Sequence, residues 1–255
     1  MPLELVTVPC RSDNYAFLLH DSPSGQTALI DVPEAGPILA ALSARGWSLS
    51  EVWITHHHND HVDGLAEVLA THPAKVHGAA ADAHRLPDLD VAHKNNDAFD
   101  FAGHEVRVMD VSGHTIGHIA YYVADAQAVF TADSLMALGC GRLFEGSAAQ
   151  MFASLSKLMA LPPETQVCSG HEYTAANAKF ALTIEPQNAD LISRSRAIEA
   201  ARAAGTPTVP STLATELATN PFLRASNPDI RALLGMQTAS DTDVFAEIRA
   251  RKDAF

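Results

Sequence analysis

The chain of 255 residues is long enough for one large domain, or for a medium domain followed by a smaller one. Its hydrophobic content of 47% and charged content of 18% are those of a folded globular protein, and its three widely spaced cysteines exclude a disulfide framework and favour a reducing compartment. The net charge of -13 argues against nucleic acid as a partner, because phosphate binding is driven by basic surface.

Short strands and helices alternate through the first two thirds of the chain. Apolar runs between turn residues predict strands, and apolar residues spaced three and four apart predict helices. In chain order, the predictions are strands 3–8, 15–19 and 28–31, helix 38–44, strand 52–54, helix 64–70, strands 75–78, 104–111, 119–123 and 128–131, helix 151–159 and strand 166–169.

From Tyr173 the composition changes to Ala, Leu, Arg and Glu, and apolar residues recur at helical spacing. This tail is predicted to be helical, with breaks at the Asn220-Pro221 and Asn227-Pro228 pairs. We therefore predict two domains, an α/β domain over residues 1–172 and a smaller helical domain over residues 173–255.

The densest cluster of potential metal ligands directly follows the fourth predicted strand, in the sequence Thr-His-His-His-Asn-Asp-His. In an extended chain, residues two apart point the same way, so His56 and His58 can bind one ion while His57 points elsewhere. Asp60 and His61 are adjacent and share a side only if the chain is already turning, which the following Asp-Gly pair favours. The cluster therefore predicts ligands for two ions.

Three further potential ligands, His114, Asp133 and His171, each follow a predicted strand by a few residues. Loops at the edge of a sheet are where the catalytic groups of α/β proteins gather, so we expect these side chains to join the cluster. A carboxylate can bridge two ions about 3.5–4 Å apart, and Asp133 is the best candidate for this role. We interpret His118 as a structural or outer-sphere histidine, and Cys168 as a buried, inert thiol.

Imidazole and carboxylate ligands suit zinc, iron or manganese. Two ions that share a water lower its pKa strongly, since one zinc ion already brings it to roughly 7. The expected result is a hydroxide nucleophile at neutral pH beside a Lewis acid for a carbonyl oxygen. The chemistry that the ligand set predicts is therefore hydrolysis.

These seven positions resemble the metallo-β-lactamase superfamily, whose hallmark is His-x-His-x-Asp-His after a strand, followed by a distant His, Asp and His. The resemblance implies an α/β (α+β sandwich) fold, a four-layer αββα sandwich of two mixed sheets, followed here by a smaller C-terminal helical domain. It also implies two divalent ions per chain, zinc in the first place, with iron or manganese as alternatives. The implied ligands are His56, His58 and His114 for the first ion, Asp60, His61 and His171 for the second, and Asp133 as the bridge.

Further motifs resemble the glyoxalase II, or hydroxyacylglutathione hydrolase, family through most of the chain. They include Asp13-Asn14-Tyr15, Gly113-His114-Thr115, Asn177, Asn220-Pro221-Phe222-Leu223-Arg224 and the ending Arg249-Ala250-Arg251-Lys252-Asp253. The helical tail separates this family from most of the superfamily, which lacks it. The resemblance implies hydrolysis of S-D-lactoylglutathione, or a related hydroxyacylglutathione, to glutathione and D-lactate, the second step of methylglyoxal detoxification. It implies no catalytic residue beyond the metal-held hydroxide and its ligands.

The expected substrate carries two carboxylates, so a chain with a net charge of -13 needs specific cations to hold it. The residues that the resemblance assigns to substrate binding are Arg142, Phe144, Tyr173, Arg249 and Lys252. Arg249 and Lys252 are three residues apart and share a helix face. Arg142 and Phe144 stand where the family more often has lysine and tyrosine, so the charge is kept but a hydroxyl contact is lost.

Two other functions are weighed against this one. A mononuclear-iron persulfide dioxygenase of the same superfamily is an oxidoreductase, and the tail disfavours it because such relatives generally lack one. A non-catalytic metal-binding protein has no need of the open bridging position that this ligand set leaves.

The sequence also bears on location. The segment Met1–Leu5 lacks the basic start and apolar core of a secretory signal. No apolar run approaches the roughly 18 residues that span a bilayer. We therefore expect a cytoplasmic monomer with no membrane partner.

Overall fold

Apolar runs near the N-terminus form a six-stranded sheet in the computed structural model, which describes residues 3–255. Its strands, in their spatial order, are β1 (Glu4–Cys10), β2 (Asn14–Asp21), β3 (Gln26–Ile30), β4 (Glu51–Trp53), β5 (Lys75–Ala79) and β6 (Val91–His93). The pairs from β1 to β3 are antiparallel, and those from β3 to β6 are parallel. Parallel neighbours need crossover connections, which here contain α1 (Ala35–Arg45), α2 (Asn59–Val62) and α3 (Leu65–Thr71).

Four antiparallel strands follow in a meander, consisting of β7 (Ala98–Phe101), β8 (His104–Asp110), β9 (Ile119–Val123) and β10 (Ala128–Ala132). The turn between β7 and β8 has positive φ at both central residues, Ala102 and Gly103. Such turns match the right-handed twist of the strands that they join. Two 3-10 turns, Ala80–Asp82 and Ala124–Ala126, lie in the connections of this part of the chain.

The side chain of Trp53 fills the space between these strands and the six-stranded sheet. Its ring meets Phe101 edge-on, with centroids 5.4 Å apart, and also contacts Phe130 at 6.3 Å. The Tyr121 hydroxyl donates to the Ile54 carbonyl at 2.9 Å, which satisfies its buried polar end. These contacts join the two sets of strands face to face around an aromatic core.

The C-terminal part of the chain is mainly helical. Its elements are β11 (Leu135–Met136), β12 (Gly139–Cys140), α4 (Ala148–Met159), β13 (Gln166–Ser169), α5 (Thr174–Ile184), α6 (Ala189–Ala203), β14 (Ser211–Thr212), α7 (Leu213–Thr219), a 3-10 turn (Pro221–Leu223), α8 (Pro228–Leu234) and α9 (Asp241–Ala254). Capping boxes begin α4 at Ser147 and α9 at Ser240. Leu138 packs with apolar residues of α5 and α6 in a buried cluster.

By backbone contacts, the chain divides into two compact units. One comprises the chain up to Val111 together with Ile116–Ala132, and the other comprises Ser112–Thr115 and Asp133–Phe255. The domain boundary predicted at residue 172 stays a prediction. Met1 and Pro2, which belong to the segment where no secretory signal is predicted, lie outside the described residues. None of the helices in residues 3–255 has the length and apolar character that a bilayer crossing demands.

Candidate metal centre

The loop after β4 is built around the carboxylate of Asp31. The Thr55 amide donates to Asp31 Oδ1 and the Thr55 hydroxyl donates to Oδ2, both at 2.8 Å. The Thr55 carbonyl accepts from the Ile119 amide at 3.0 Å, which ties the loop to β9. Because Thr55 is held from both sides, the side chain that follows it has a fixed direction.

The prediction that His56 and His58 point together is confirmed. His56 Nε2 lies 3.1 Å from His58 Nδ1, whereas His57 turns away and places its Nδ1 2.8 Å from Asp82 Oδ2. His118, interpreted as structural, stacks on the His56 ring with centroids 4.5 Å apart. Its Nδ1 lies 3.1 Å from the Ile119 carbonyl oxygen.

Asp60 and His61 come to the same side because α2 supplies the turn that the sequence predicts. His61 Nε2 lies 3.8 Å from Asp60 Oδ2, and His61 Nδ1 lies 2.8 Å from Asp31 Oδ2. A carboxylate accepts, so Nδ1 carries the proton and Nε2 keeps its lone pair for a metal ion. Asn14 holds Asp60 through a 3.0 Å hydrogen bond to Oδ2.

Asp31 is a residue of the candidate site that the sequence did not identify. One potential ligand atom each from Asp31, His56 and His61 lies within 4.8 Å of the others. The sequence does contain a sign that Asp31 belongs to the site, because it is an acidic residue directly after the strand β3. Its backbone φ of 55° is the left-handed conformation that Asp tolerates better than most residues.

In the second unit, the structure brings together the other three predicted ligands. Asp133 Oδ2 lies 3.4 Å from His114 Nε2 and 3.3 Å from His171 Nε2, and all three side chains are buried. Asp133 immediately follows β10, and His171 lies two residues beyond β13. A carboxylate oxygen between two imidazole nitrogens is the arrangement expected of a bridging ligand.

The segment after β12 sets the direction of His114. The carbonyl oxygen of Arg142 lies 2.8 Å from His114 Nδ1 and accepts a hydrogen bond from it. The other ring nitrogen, Nε2, then faces Asp133. Gly141 allows this segment to pass close to Asp133, because a Cβ at position 141 would lie 1.9 Å from the Asp133 carbonyl oxygen. His171 is covered by the Tyr173 ring, which stacks on it with centroids 4.6 Å apart.

The residues predicted to bind substrate differ in exposure. Arg142, Phe144 and Tyr173 are exposed, and the Phe144 ring lies 5.2 Å from that of His114. Arg249 is only 4% exposed, and its Nη1 donates to the Cys140 carbonyl at 3.0 Å. Its guanidinium is therefore already engaged by the protein's own groups.

The ammonium group of Lys252 lies 5.1 Å from the centre of the Phe180 ring. Burial lowers the pKa of Lys252, and the positive charges of Arg249 and Arg142 lower it further. The three predicted cations therefore lie in one unit and influence one another electrostatically.

The donor set suits a transition-metal ion. Within each unit, the converging atoms are imidazole nitrogens and carboxylate oxygens, which are zinc, iron and manganese ligands. Carbonyl and carboxylate partners orient the second nitrogens of His61 and His114, as is usual for metal-binding histidines. Cys168 fits its interpretation as an inert thiol, because burial raises its pKa and disfavours the thiolate.

Comparison with known proteins extends over the whole chain. The family model for the metallo-beta-lactamase superfamily matches residues 14–171, and the model for the hydroxyacylglutathione hydrolase C-terminus matches residues 172–255. Proteins from Roseobacter denitrificans and Ruegeria pomeroyi, both called hydroxyacylglutathione hydrolase, are 74% and 64% identical to the chain, each with 100% of both sequences covered.

Among solved structures, the B3 metallo-β-lactamase BLEG-1 superposes with a TM-score of 0.67 at 19% identity, covering 86% of this chain and 99% of its own. That likeness shows the fold, which is the mixed-sheet metallo-β-lactamase fold expected from the sequence, followed here by a helical C-terminal domain. The two full-length relatives and the match to the tail show more than the fold. The chain belongs to the hydroxyacylglutathione hydrolase family, within the metallo-β-lactamase superfamily.

Proposed function

We propose that this protein hydrolyses the thioester of S-D-lactoylglutathione, or of a related hydroxyacylglutathione, to glutathione and D-lactate, the second step of methylglyoxal detoxification. The family membership of the full chain supports a thioester hydrolase. The structural observation that carries the proposal is the Asp133 oxygen that lies within 3.4 Å of the Nε2 atoms of both His114 and His171.

Two divalent ions, zinc in the first place and iron or manganese as alternatives, are the proposed cofactors. The proposed ligands are His56, His58 and His114 for one ion, Asp60, His61 and His171 for the other, and Asp133 as the bridge. The support is the pairing of His56 with His58, the turn that joins Asp60 to His61, and the contacts of Asp133.

When bound, such ions supply a Lewis acid for the carbonyl oxygen and lower the pKa of water to near neutrality. The chain's own residues fix the ligands, because Asp31 and the Arg142 carbonyl orient the rings of His61 and His114. The leaving thiol has an ordinary pKa near 8.5, so the thiolate departs without a separate general acid.

Substrate binding is proposed to reside in the helical domain, residues 173–255, and in the loop before α4. Arg142 and Lys252 would hold the carboxylates of glutathione, while Phe144 and Tyr173 would line its path. Arg249, which is buried, would act there through its charge and by supporting its neighbours. Glutathione thioester is the one proposed partner of a monomeric, cytoplasmic enzyme that binds neither nucleic acid nor membrane.

A persulfide dioxygenase is the alternative that the comparisons favour less, because residues 172–255 match the hydrolase C-terminus. Oxygen consumption with glutathione persulfide would be the sign of that activity. No contact in the described residues favours it over hydrolysis.

Hydrolysis of S-D-lactoylglutathione, measured before and after chelation with metal analysis of the same samples, tests the proposal. We expect activity to fall with metal content and to return on adding zinc. His58→Ala should lose both metal and turnover, whereas His84→Ala, at an exposed position, should keep both. Full turnover by metal-free protein, or by His58→Ala, would contradict the proposed centre.

A further inference from the structure

The hairpin formed by residues 133–142, here called the ligand hairpin, carries a metal-site group at each end. Asp133 begins it, and the Arg142 carbonyl that orients His114 ends it. The two ends are locked together, because the Gly141 amide donates to the Ser134 carbonyl at 3.1 Å. The position of the ligand hairpin therefore sets both Asp133 and His114.

The strands of the ligand hairpin, β11 and β12, have two residues each and cannot hold it by themselves. Instead, each of the five residues 136–140 has a backbone group bonded to a buried side chain of the tail. These bonds run from Asn220 Nδ2 to the carbonyls of Met136 (3.1 Å) and Gly139 (3.0 Å), from Asn177 Nδ2 to Ala137 (3.0 Å), from Arg249 Nη1 to Cys140 (3.0 Å), and from the Leu138 amide to Glu216 Oε2 (2.8 Å).

The centre of this arrangement is rigid. Asn220 and Glu216 are both fully buried, and Asn220 Nδ2 lies 3.1 Å from Glu216 Oε2. The other Glu216 oxygen accepts from Arg194 and from the Ser211 hydroxyl, so the buried carboxylate is paired. Satisfied buried networks of this kind hold one conformation.

The tip of the ligand hairpin needs such support. Leu138 has a φ of 56°, a left-handed conformation that is unfavourable for residues other than Gly, Asn and Asp. The hydrogen bond from its backbone amide to Glu216, and the burial of its side chain against α5 and α6, hold it there. The tail thus maintains a strained turn whose two ends lead to the metal ligands.

We propose that Asn220, together with Asn177 and Glu216, is a positioning residue for the metal centre: through the ligand hairpin it fixes Asp133 and His114 in their ligating directions. This inference rests on the proposed function, because it takes Asp133 and His114 as ligands. It gives the helical tail a part in metal binding in addition to substrate binding. It also gives a physical role to Asn177 and to the motif at 220–224, which the sequence marks only by family resemblance.

Asn220→Ser tests the proposal with a matched control. Serine keeps an oxygen that can cap the turn at Phe222, but it removes the amide that bonds to the ligand hairpin. Asn188 makes the same two kinds of hydrogen bond as Asn220. Its side-chain oxygen caps α6, and its Nδ2 donates to the Ala218 carbonyl at 3.0 Å, away from the ligand hairpin. Asn188→Ser therefore removes the same kind of bond without touching the metal ligands.

Zinc affinity, from competition with a chelator, and the absorption spectrum of the cobalt-loaded protein are the measurements. We expect Asn220→Ser to bind zinc about tenfold more weakly, the lower end of the loss seen when an outer partner of a metal ligand is removed, and to shift the cobalt bands. Asn188→Ser should leave both unchanged although it also loses stability. If Asn220→Ser does not fold, Asn177→Ala is judged by the same criteria.

Two outcomes separate this inference from the proposed function. If the unaltered chain binds zinc, and folded Asn220→Ser binds it with the same affinity and gives the same cobalt spectrum, the inference alone is overturned. Absence of zinc binding by the unaltered chain, or undiminished binding by His58→Ala, overturns the proposed centre and the inference together.

Discussion

At the scale of single residues, the site depends on which nitrogen of each histidine is protonated. Asp31 accepts from both polar groups of Thr55 and from His61 Nδ1, so one carboxylate fixes the loop and the tautomer at once. A neutral amide in its place could not accept at both oxygens. Substitution of Asp31 would therefore disturb the orientation of the proposed metal ligands without removing any of them.

Asp31→Asn is expected to weaken zinc binding by about 10- to 100-fold, the range found for outer partners of metal ligands. The reason is that the amide nitrogen can present a proton to His61 or to Thr55, where an acceptor is required. Zinc affinity by chelator competition measures the effect. Asp21→Asn is the control, since Asp21 is another buried acid at a strand end and lies 3.6 Å from His104, outside the centre. Equal affinities for the two variants would contradict the role of Asp31.

Lys252 provides a second test at this scale, through KM. Its replacement by alanine should raise KM for lactoylglutathione by about tenfold, or ~1.4 kcal/mol, with a smaller effect on kcat, because it removes binding shared by ground and transition states. Lys179→Ala removes an exposed lysine of α5 and serves as the control. An unchanged KM for Lys252→Ala would remove this lysine from the substrate site.

The lowered pKa of Lys252 predicts the direction in which KM changes with pH. Burial lowers this pKa below its usual 10.5, so the ammonium loses its proton at a lower pH than an exposed lysine does. KM should therefore rise as the pH is raised towards 10, and Lys252→Arg, which keeps its charge, should show a smaller rise. Parallel pH profiles for the two proteins would refute this explanation.

The seven candidate ligands could be proposed from the sequence, whereas the residues that orient them could not. A strand followed by a dense histidine motif can be read locally, since residues two apart share a side and a turn brings the next pair round. The Arg142 carbonyl and Asp31, in contrast, act through contacts across 28 and 30 positions of the chain. Spacing in sequence carries no information about such contacts.

At the scale of elements, most strands with a clear apolar run were predicted, whereas β6, β7 and the two-residue strands were not. The predicted strands 119–123 and 166–169 coincide with β9 and β13, and α1, predicted over 38–44, runs to Arg45 before Gly46 ends it in the left-handed conformation. The two-residue strands β11, β12 and β14 have no periodicity to read, because they are formed by their partners.

The β4–β5–β6 edge contains a buried polar chain that bears on acid stability. His77 Nδ1 lies 2.9 Å from His93 Nε2, and Glu51 Oε2, 3.7 Å from His77 Nε2, accepts from the Trp53 indole. Burial lowers the pKa of His77 to about 4, and it also lowers that of His93. Both imidazoles are thus held neutral within the sheet.

This edge should make the fold sensitive to acid. Because the pKa of His77 is lower in the folded than in the unfolded chain, the unfolded chain binds more protons between about pH 4 and 6.5, and stability falls as pH falls through that window. One such shift amounts to at most about 3 kcal/mol. Glu51, whose pKa is raised by burial, acts in the opposite sense and offsets part of the loss.

His77→Gln should therefore reduce the pH dependence of the free energy of unfolding between pH 4 and 6.5, because glutamine does not titrate. Urea unfolding of the chelated protein at several pH values measures it, without a contribution from metal binding. His84→Gln, at an exposed position, should keep the original slope. An unaltered slope in His77→Gln would show that the acid sensitivity arises elsewhere.

At the scale of the whole molecule, charge and metal act together. A net charge of -13 repels the two carboxylates of the proposed substrate in general, and the positive charges of Arg142, Arg249 and Lys252 offset this where binding is proposed. Carboxylates such as those of the proposed ligand set also favour binding of a divalent cation. The composition that argues against nucleic acid as a partner therefore suits the proposed function, in which a metal enzyme binds a small substrate through a few local cations.

The last prediction concerns the effect of bound metal on the stability of the whole chain. A metal that binds only the folded chain stabilises it by RT ln(1 + [L]/Kd), about 2.7 kcal/mol at a free zinc concentration of 100 Kd. For a chain of this size, that corresponds to a rise in Tm of roughly 5–11 °C. Calorimetry of chelated and zinc-loaded protein should show this rise, and His84→Ala should match it while His58→Ala should not. A rise of the same size in His58→Ala would mean that zinc stabilises the chain at some other site.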